Sequence, residues 1–249
     1  MKKLIAALAC RNQGSRLYGK PLQNLDQEKG IRIIDNIIDN LKTIKCIDDI
    51  VFGISDGQEN QIFKTISKEK KLNFIVGDET DVLKRLILCG EKVNATDIFR
   101  ITSESPFLYY QAVEECWSKH CFGKNDATFY EDIVDGCGFE IISLSALKKS
   151  HELGDKKHRS ELCTLYIREN LNKFKVRKIK APEHLCRKDL RLTVDNPEDL
   201  VICREVYNQF IDMAPKINLE EVIKFLDNNP DLKKLTLPYT IDGYNSMYL

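Results

Sequence analysis

Apolar residues in this chain alternate between short unbroken runs and stripes at helical spacing. Lys3–Ala9 (KLIAALA) is a nearly continuous apolar run, the pattern of a central parallel strand covered on both faces. After a polar loop, Ile31–Leu41 (IRIIDNIIDNL) recurs apolar at helical spacing. The rhythm continues with a strand at Asp49–Ile54, a helix at Asn60–Lys70 and a strand at Asn73–Val76. A helix over Asp81–Val93 is marked at its start by Thr80-Asp81. Asp97–Ile101 reads as a fourth strand, followed by TSESP and a helix near Tyr110–His120. Strands alternating with helices predict an α/β fold with a doubly wound, mostly parallel, Rossmann-like sheet.

The second half is less regular. Ala127–Tyr130 and Gly138–Ile142 read as strands, Ser160–Leu171 as a helix and Lys173–Ile179 as another strand. In RLTVDNPEDL a short strand runs into Asn196-Pro197, and the proline pre-sets φ for a helix through Phe210. Leu219–Asn228 is a further helix, and the tail to Leu249 reads as polar and loosely held. No repeat, low-complexity stretch or Pro/Gly/Ser linker interrupts the chain, so a single domain with a small β-containing excursion at about 125–180 is expected.

Composition narrows the partners. The chain has 249 residues, enough for one sizeable core. Its 38 basic and 38 acidic side chains cancel, leaving no global field for nucleic acid or an anionic membrane. Nine scattered cysteines with no CxxC pair point to free thiols in a reducing cytoplasm rather than to disulfides or zinc. No run approaches the ~20 apolar residues of a membrane span. The run after Lys2-Lys3 is short and meets Arg11, so it reads as a first strand and not as a signal peptide.

Candidate chemistry begins directly after that strand, where open α/β sheets bind ligands. In RNQGSRLYGK, Arg11, Arg16 and Lys20 lie within ten residues, interleaved with Gly14, Ser15 and Gly19. Small residues let backbone N–H groups approach an anion, arginine forks grip phosphate oxygens, and lysine adds a point charge. Neither a Walker A nor a GxGxxG pattern is present. The residues alone therefore fit either an anion cradle or a solvated basic loop.

The stretch resembles the opening motif A-x-R-x-x-S-x-R-L-P-x-K-x-L of the CTP-dependent cytidylyltransferases, which activate sugar acids and spore-coat or capsule precursors. Arg11, Arg16, Leu17 and Lys20 fall on its positions, with Tyr18 in place of proline and Gly14-Ser15 at the Ser/Thr step. Four later segments agree in order. GDETDVLKR (77–85) resembles G-x-x-D-V-L-x-R, and RITSESP (100–106) resembles R-x-T-G-D-x-P. GCGFE (136–140) resembles G-x-x-x-E, and RLTVDNPEDL (191–200) is similar to R-L-T-V-D-T-P-E-D-L.

The resemblance implies CTP held by Ala9, Cys10, Arg11, Asn12, Gly14, Ser15, Arg16, Lys20, Asp81, Arg85 and Ser103, with Arg11, Arg16 and Lys20 catalytic. It implies Mg²⁺ on Glu104 and Asp195, a small acidic or phosphorylated acceptor, and a homodimer. From the residues alone, Glu104 also reads as a carboxylate near the start of the next helix, and Asp195 as a helix cap. KKHRSELCTLY (156–166) is similar to the family's R-E-H-V-T-x-Y-I segment, with Glu161 near register and the histidine moved. This assigns Glu140, His158, Arg159, Ser160 and Glu161 to the acceptor, although 156–161 also reads as a basic turn and a helix start. Sugar-acid enzymes of the group read QGDEP where this chain reads TSESP, nearer the spore-coat and capsule branch. Two rivals stand beside this reading. A nucleotide-sugar glycosyltransferase would want a DxD-like metal motif, and a catalytically silent nucleotide-binding module would fit the departures at Tyr18 and Glu104.

Overall fold

The computed structural model describes residues 2–14 and 16–247. β1 (Leu4–Cys10) lies at the heart of the sheet, and its residues alternate between two apolar layers. Leu4, Ala6, Leu8 and Cys10 join one core and Ile5 and Ala7 the other, so the unbroken apolar run reflects burial on both faces. A ribbon of β2 (Asn24–Asp26) and β3 (Ile31–Arg32) leads into α1 (Ile33–Leu41). The regular alternation follows: β4 (Asp49–Ser55), α2 (Gln61–Glu69), β5 (Asn73–Gly77), α3 (Val82–Lys92), β6 (Asp97–Arg100) and α4 (Val113–Gly123).

β7 (Ala127–Glu131), β8 (Phe139–Ser143) and β9 (Val176–Lys180) come from the irregular half. They extend the same sheet, in the order β5-β4-β1-β6-β8-β7-β9. β5, β4, β1 and β6 run parallel, β8 is antiparallel to β6 and β7, and β7 pairs parallel with β9. The doubly wound, mostly parallel α/β fold is therefore present. The 125–180 excursion widens the sheet, with α5 (Leu144–Leu153) and α6 (Leu165–Glu169) in its connections. α7 (Pro197–Gln209), α8 (Leu219–Asn228), α9 (Pro230–Lys234) and α10 (Leu237–Met247) complete the chain.

Three expectations are corrected. The helix expected over 160–171 is reduced to the short α6, and a 3-10 turn at Lys156–Arg159 precedes it. Asp155 starts the turn by accepting the Lys157 N–H, which leaves Ser160–Thr164 irregular. No strand precedes Asn196: Arg191 makes only an isolated parallel bridge to Asp135. The Leu192 N–H donates to the Asp135 carbonyl and the Val194 N–H to the Glu104 carbonyl, so this segment is laced between two loops instead of joining a ladder. Through Met247 the tail is helical, with α9 and α10 there, and residues 248 and 249 lie outside the described residues. Among the described residues all nine cysteines are free, and no helix is long and apolar enough to cross a membrane.

β1 and β6 end side by side, which brings the Arg11–Lys20 loop next to the 101–105 segment. Phe99, fully buried on β6 and packed on Phe139 with ring centroids 5.1 Å apart, sits just behind that edge. Truncating Phe99→Ala is expected to cost about 3–5 kcal/mol in urea unfolding, from lost transfer energy plus the cavity left behind. A loss below about 1 kcal/mol would mean that β6 does not brace the site as described.

Candidate active site

Beyond β1, the loop is held by its polar side chains. Asn12 is buried; its N–H donates to Asn60 Oδ1 at 2.8 Å and its side chain donates to the Glu59 carbonyl. It fixes the loop and is not presented to the cleft. Cys10 points into the core, where burial pushes its thiol well up, and only its carbonyl faces Arg85. Ala9, Arg11, Gly14, Arg16 and Lys20 do line a pocket of about 260 Å³. Ser15 lies outside the described residues.

Arg85 is the floor of that pocket. Its side chain is 1% exposed, it donates to the Gly53 carbonyl at 2.9 Å, and its Nε has no partner. Among the described residues it has no carboxylate partner, so a buried cation is held there by backbone carbonyls alone. A buried, incompletely satisfied cation facing a cavity is suited to an anionic or carbonyl-rich ligand.

Asp195 is the hub. Lys20 Nζ lies 2.5 Å and Arg16 Nη2 3.4 Å from its Oδ1, and Arg191 pairs with its Oδ2. Burial works to raise this carboxyl, but the Lys20 bond and charge, then Arg191 and Arg16, hold it below its usual range. Asp195 is not the helix cap: Asn196 and Asp199 form the capping box of α7, and Asp199 also accepts the Asp195 N–H at 2.9 Å. Arg191 is itself oriented by Asp135 and by Asp199 at 3.1 Å.

Glu104 faces the same pocket. Its ion-pair partners among the described residues are none, and its one side-chain bond is from Ser103, whose Oγ lies 3.2 Å away and also donates to the Ala9 carbonyl. Burial pushes the Glu104 carboxyl above its ordinary range; Lys20 opposes this, while Asp195 and Glu161 add to it. The next helical residues begin at Tyr110, so Glu104 does not serve a helix start. An under-neutralised carboxylate beside Asp195 gives an all-oxygen donor pair that fits a hard divalent cation completed by phosphate and water oxygens. No cluster of three or more such ligands occurs among the described residues, so the chain offers two carboxylates and no closed cage.

On the far side, Arg100 Nη1 and Arg168 Nη2 grip the two oxygens of Glu140 at 2.7 and 2.9 Å. Arg168 also pairs with Glu131 at 2.5 Å and lies over the Phe129 ring. Burial works to raise the Glu140 carboxyl, yet Arg100 and Arg168, with the Arg168 and Thr164 bonds, bring it down to about 2. Arg100 Nη2 also donates to the Glu161 carbonyl at 2.8 Å. A cleft of about 640 Å³ joins this region to the Asp195 side and reaches Ser160 and Glu161. Arg11 and Glu161 form an ion pair across its mouth.

The structure does not bring every expected residue together. His158 is buried, accepting the Asp155 N–H at 2.9 Å and bonding Glu169 at 2.8 Å, and Arg159 reaches only the His151 carbonyl. Neither faces the cleft. Asp81 caps α3 through the Lys84 N–H at 2.8 Å and meets His151 at 2.7 Å, while its neighbours Thr80 and Val82 line the cleft. Residues missed from the sequence are Arg168 and Asp135, which sit in no motif, and the site roles of Arg100 and Arg191, which do. The usable signal for Arg168 was chemical: Glu131 and Glu140 on adjacent strands need a buried cation.

An open sheet with a cation-rich loop after its first strand and paired carboxylates opposite defines a nucleotide-handling transferase. The model of the cytidylyltransferase family matches residues 5–236. The chain belongs to that family and is a CTP-dependent nucleotidyltransferase. It is 26% identical over 238 residues to the spore coat polysaccharide biosynthesis protein SpsF of Bacillus subtilis, covering 93% of this chain and 97% of SpsF. Among solved structures it is similar to a cytidylyltransferase from Leptospira borgpetersenii, at a TM-score of 0.83, 20% identity and coverage of 93% and 97%. It also resembles a CMP:2-keto-3-deoxy-manno-octonic acid synthetase complexed with CTP, at a TM-score of 0.64, 14% identity and coverage of 84% and 99%. These two structural likenesses describe the fold.

The depressed Glu140 carboxyl has a pH signature. A folded-state value near 2 against the ordinary 4.5 adds stability that is complete above about pH 4.5 and disappears as pH falls through about 2. Glu140→Gln, which leaves Arg100 and Arg168 without their shared partner, should therefore be less stable than wild type at neutral pH. The deficit should shrink between pH 4.5 and 2. A gap in unfolding free energy that is flat across that window would refute the assignment.

Proposed function

We propose that this enzyme transfers CMP from MgCTP to a small acidic acceptor, a phosphorylated one such as L-glutamine phosphate, giving CDP-L-glutamine and pyrophosphate. The observation that carries the reading is the convergence of Arg11, Arg16, Lys20 and Arg85 with Glu104 and Asp195 on one pocket. In the transfer, an acceptor phosphate oxygen forms a bond to the α-phosphorus of CTP, the α–β bridging P–O bond breaks, and pyrophosphate leaves with that electron pair. Arg11, Arg16 and Lys20 bind the β- and γ-phosphates and stabilise the charge that grows on the leaving group. Glu104 and Asp195 hold Mg²⁺, which when bound offsets the charge of the triphosphate. An acceptor already ionised near pH 7 needs no general base, so positioning is the main task of the protein.

The acceptor class is supported by the TSESP segment, by Ser160 and Glu161 in the larger cleft, and by two arginine forks, Arg168 in that cleft and Arg100 in both it and the nucleotide pocket. Kinship with a spore-coat polysaccharide protein supports a place in polysaccharide modification, including that of capsules. The basic 156–159 turn gives no support, because His158 and Arg159 face elsewhere.

Pyrophosphate release from CTP, measured with L-glutamine phosphate, a 2-keto sugar acid and a hexose 1-phosphate, tests the proposal. Release dependent on a phosphorylated acceptor, with a CDP-linked product, is expected. Release only with the sugar acid, giving a CMP-linked product, would replace the acceptor while keeping the reaction. Lys20→Ala and Asp195→Asn should each lower kcat by about 10²–10³. Turnover within a few-fold of wild type would sink the assigned roles.

A further inference from the structure

α10 begins at Leu237, one residue after the span that the family model matches ends. It is nevertheless part of the cleft wall. Gly243 lines the 640 Å³ cleft together with Asp135, Arg168, Arg191, Thr193 and Asp195. A Cβ built at Gly243 would overlap the Arg191 guanidinium and lie 2.8 Å from Asp135 Oδ2. The helix backbone is thus seated directly on the ion pair that orients Arg191, and Arg191 in turn holds Asp195.

The anchoring is one-sided. Thr236, at the foot of the helix, and Thr240 are 1% and 2% exposed, and with Gly243 they follow i, i+4, i+7 spacing. Ile241, between them in sequence, is 68% exposed. Small inward residues let a helix approach closely, and here the surface approached is a charged pair at the edge of a cavity and not an apolar core.

We propose that α10 is a wall of the acceptor half of the cleft, and that Gly243, as a positioning residue, sets how far an acceptor extends toward Arg191. The inference rests on the reading of the cleft as a CTP and acceptor site. Lys20 and Arg85, on other elements, line the smaller pocket and not the larger cleft, whereas Gly243 lines the cleft and not that pocket. On this reading acceptor selection depends on α10 as well as on the residues 5–236 that the family model matches. A larger residue at 243 displaces the helix or the guanidinium, and Arg191 keeps Asp199 as a partner on α7, so the change falls on the cleft wall beside Gly243, Asp135 and Arg168.

The test compares the full-length wild type with Gly243→Val, Gly243→Ala and the control Ile241→Ser. CTP affinity is read by calorimetry, thermal midpoints by scanning fluorimetry, and acceptor KM and kcat by pyrophosphate release with L-glutamine phosphate and 2-keto-3-deoxy-manno-octonic acid in parallel. Gly243→Val should raise the KM of the acceptor that is turned over by about tenfold or more while the CTP Kd stays within about twofold. Gly243→Ala should move in the same direction by less, which covers the case in which the valine variant fails to fold, and Ile241→Ser should match wild type. An unchanged acceptor KM, or a CTP Kd that rises in step with it, overturns the role of α10. A wild type that binds no CTP would instead overturn the nucleotide reading beneath it, so the two failures are told apart.

Discussion

The Asp195 carboxylate organises the cleft because three cations from different parts of the chain converge on it. Lys20 and Arg16 come from the loop after β1, and Arg191 comes from the laced segment before α7. A mostly buried carboxylate would ordinarily be driven toward its neutral form, and only such a set of cations keeps it charged. The dependence is mutual. Without Asp195, Lys20 would be a cation left in a protein crevice while Arg191 kept Asp135 and Asp199, so the loop, the 191–195 segment and the start of α7 share one electrostatic constraint. Lys20 and Arg16 of the loop thus neutralise Asp195, and under the nucleotidyl-transfer reading a triphosphate would offer these cations other oxygen partners.

Glu104 and Arg85 follow the opposite logic. Neither has an ionic partner among the described residues, and each faces the pocket with some of its demand unmet. In a folded chain such residues are costly unless something else completes them. The carboxylate asks for a cation and the guanidinium for an acceptor, and a metal–nucleotide complex supplies both. The acceptor side is different again, because Arg100, Arg168, Glu131 and Glu140 satisfy one another internally. That network makes an internally neutralised wall, in contrast to Glu104 and Arg85 of the smaller pocket, unpaired among the described residues.

The parts of this architecture legible in the sequence were those governed by local pattern. KLIAALA announces a doubly covered strand, IRIIDNIIDNL an amphipathic helix, and Thr80-Asp81 and Asn196-Pro197 the starts of α3 and α7, because periodicity and caps are written in neighbouring residues. The motif resemblance added the loop and the two carboxylates. What escaped was set by distant contacts. Leu192 and Val194 have strand-like side chains but bond to loops around Asp135 and Glu104, which no local propensity encodes. His158 sits in a basic turn that looks accessible, yet a bond to Glu169 and the edge of Tyr166 draw it inward. Arg168 lies on a short helix with no motif, and only the unbalanced acids on β7 and β8 hinted at it.

The C-terminal segment sharpens that distinction. LPYTIDGYNSM carries a proline, a glycine and mixed polarity, so neither helix propensity nor apolar periodicity marks it as structured. Its fit is set at Gly243, where a Cβ would overlap the Arg191 guanidinium and approach Asp135. Determinants of this kind leave weak local signatures because they are small residues placed for what they avoid. At Gly243 such a determinant borders the larger cleft. The loop and carboxylates of the smaller pocket are accordingly readable from motifs, whereas this wall of the larger cleft is built from a segment whose sequence says least.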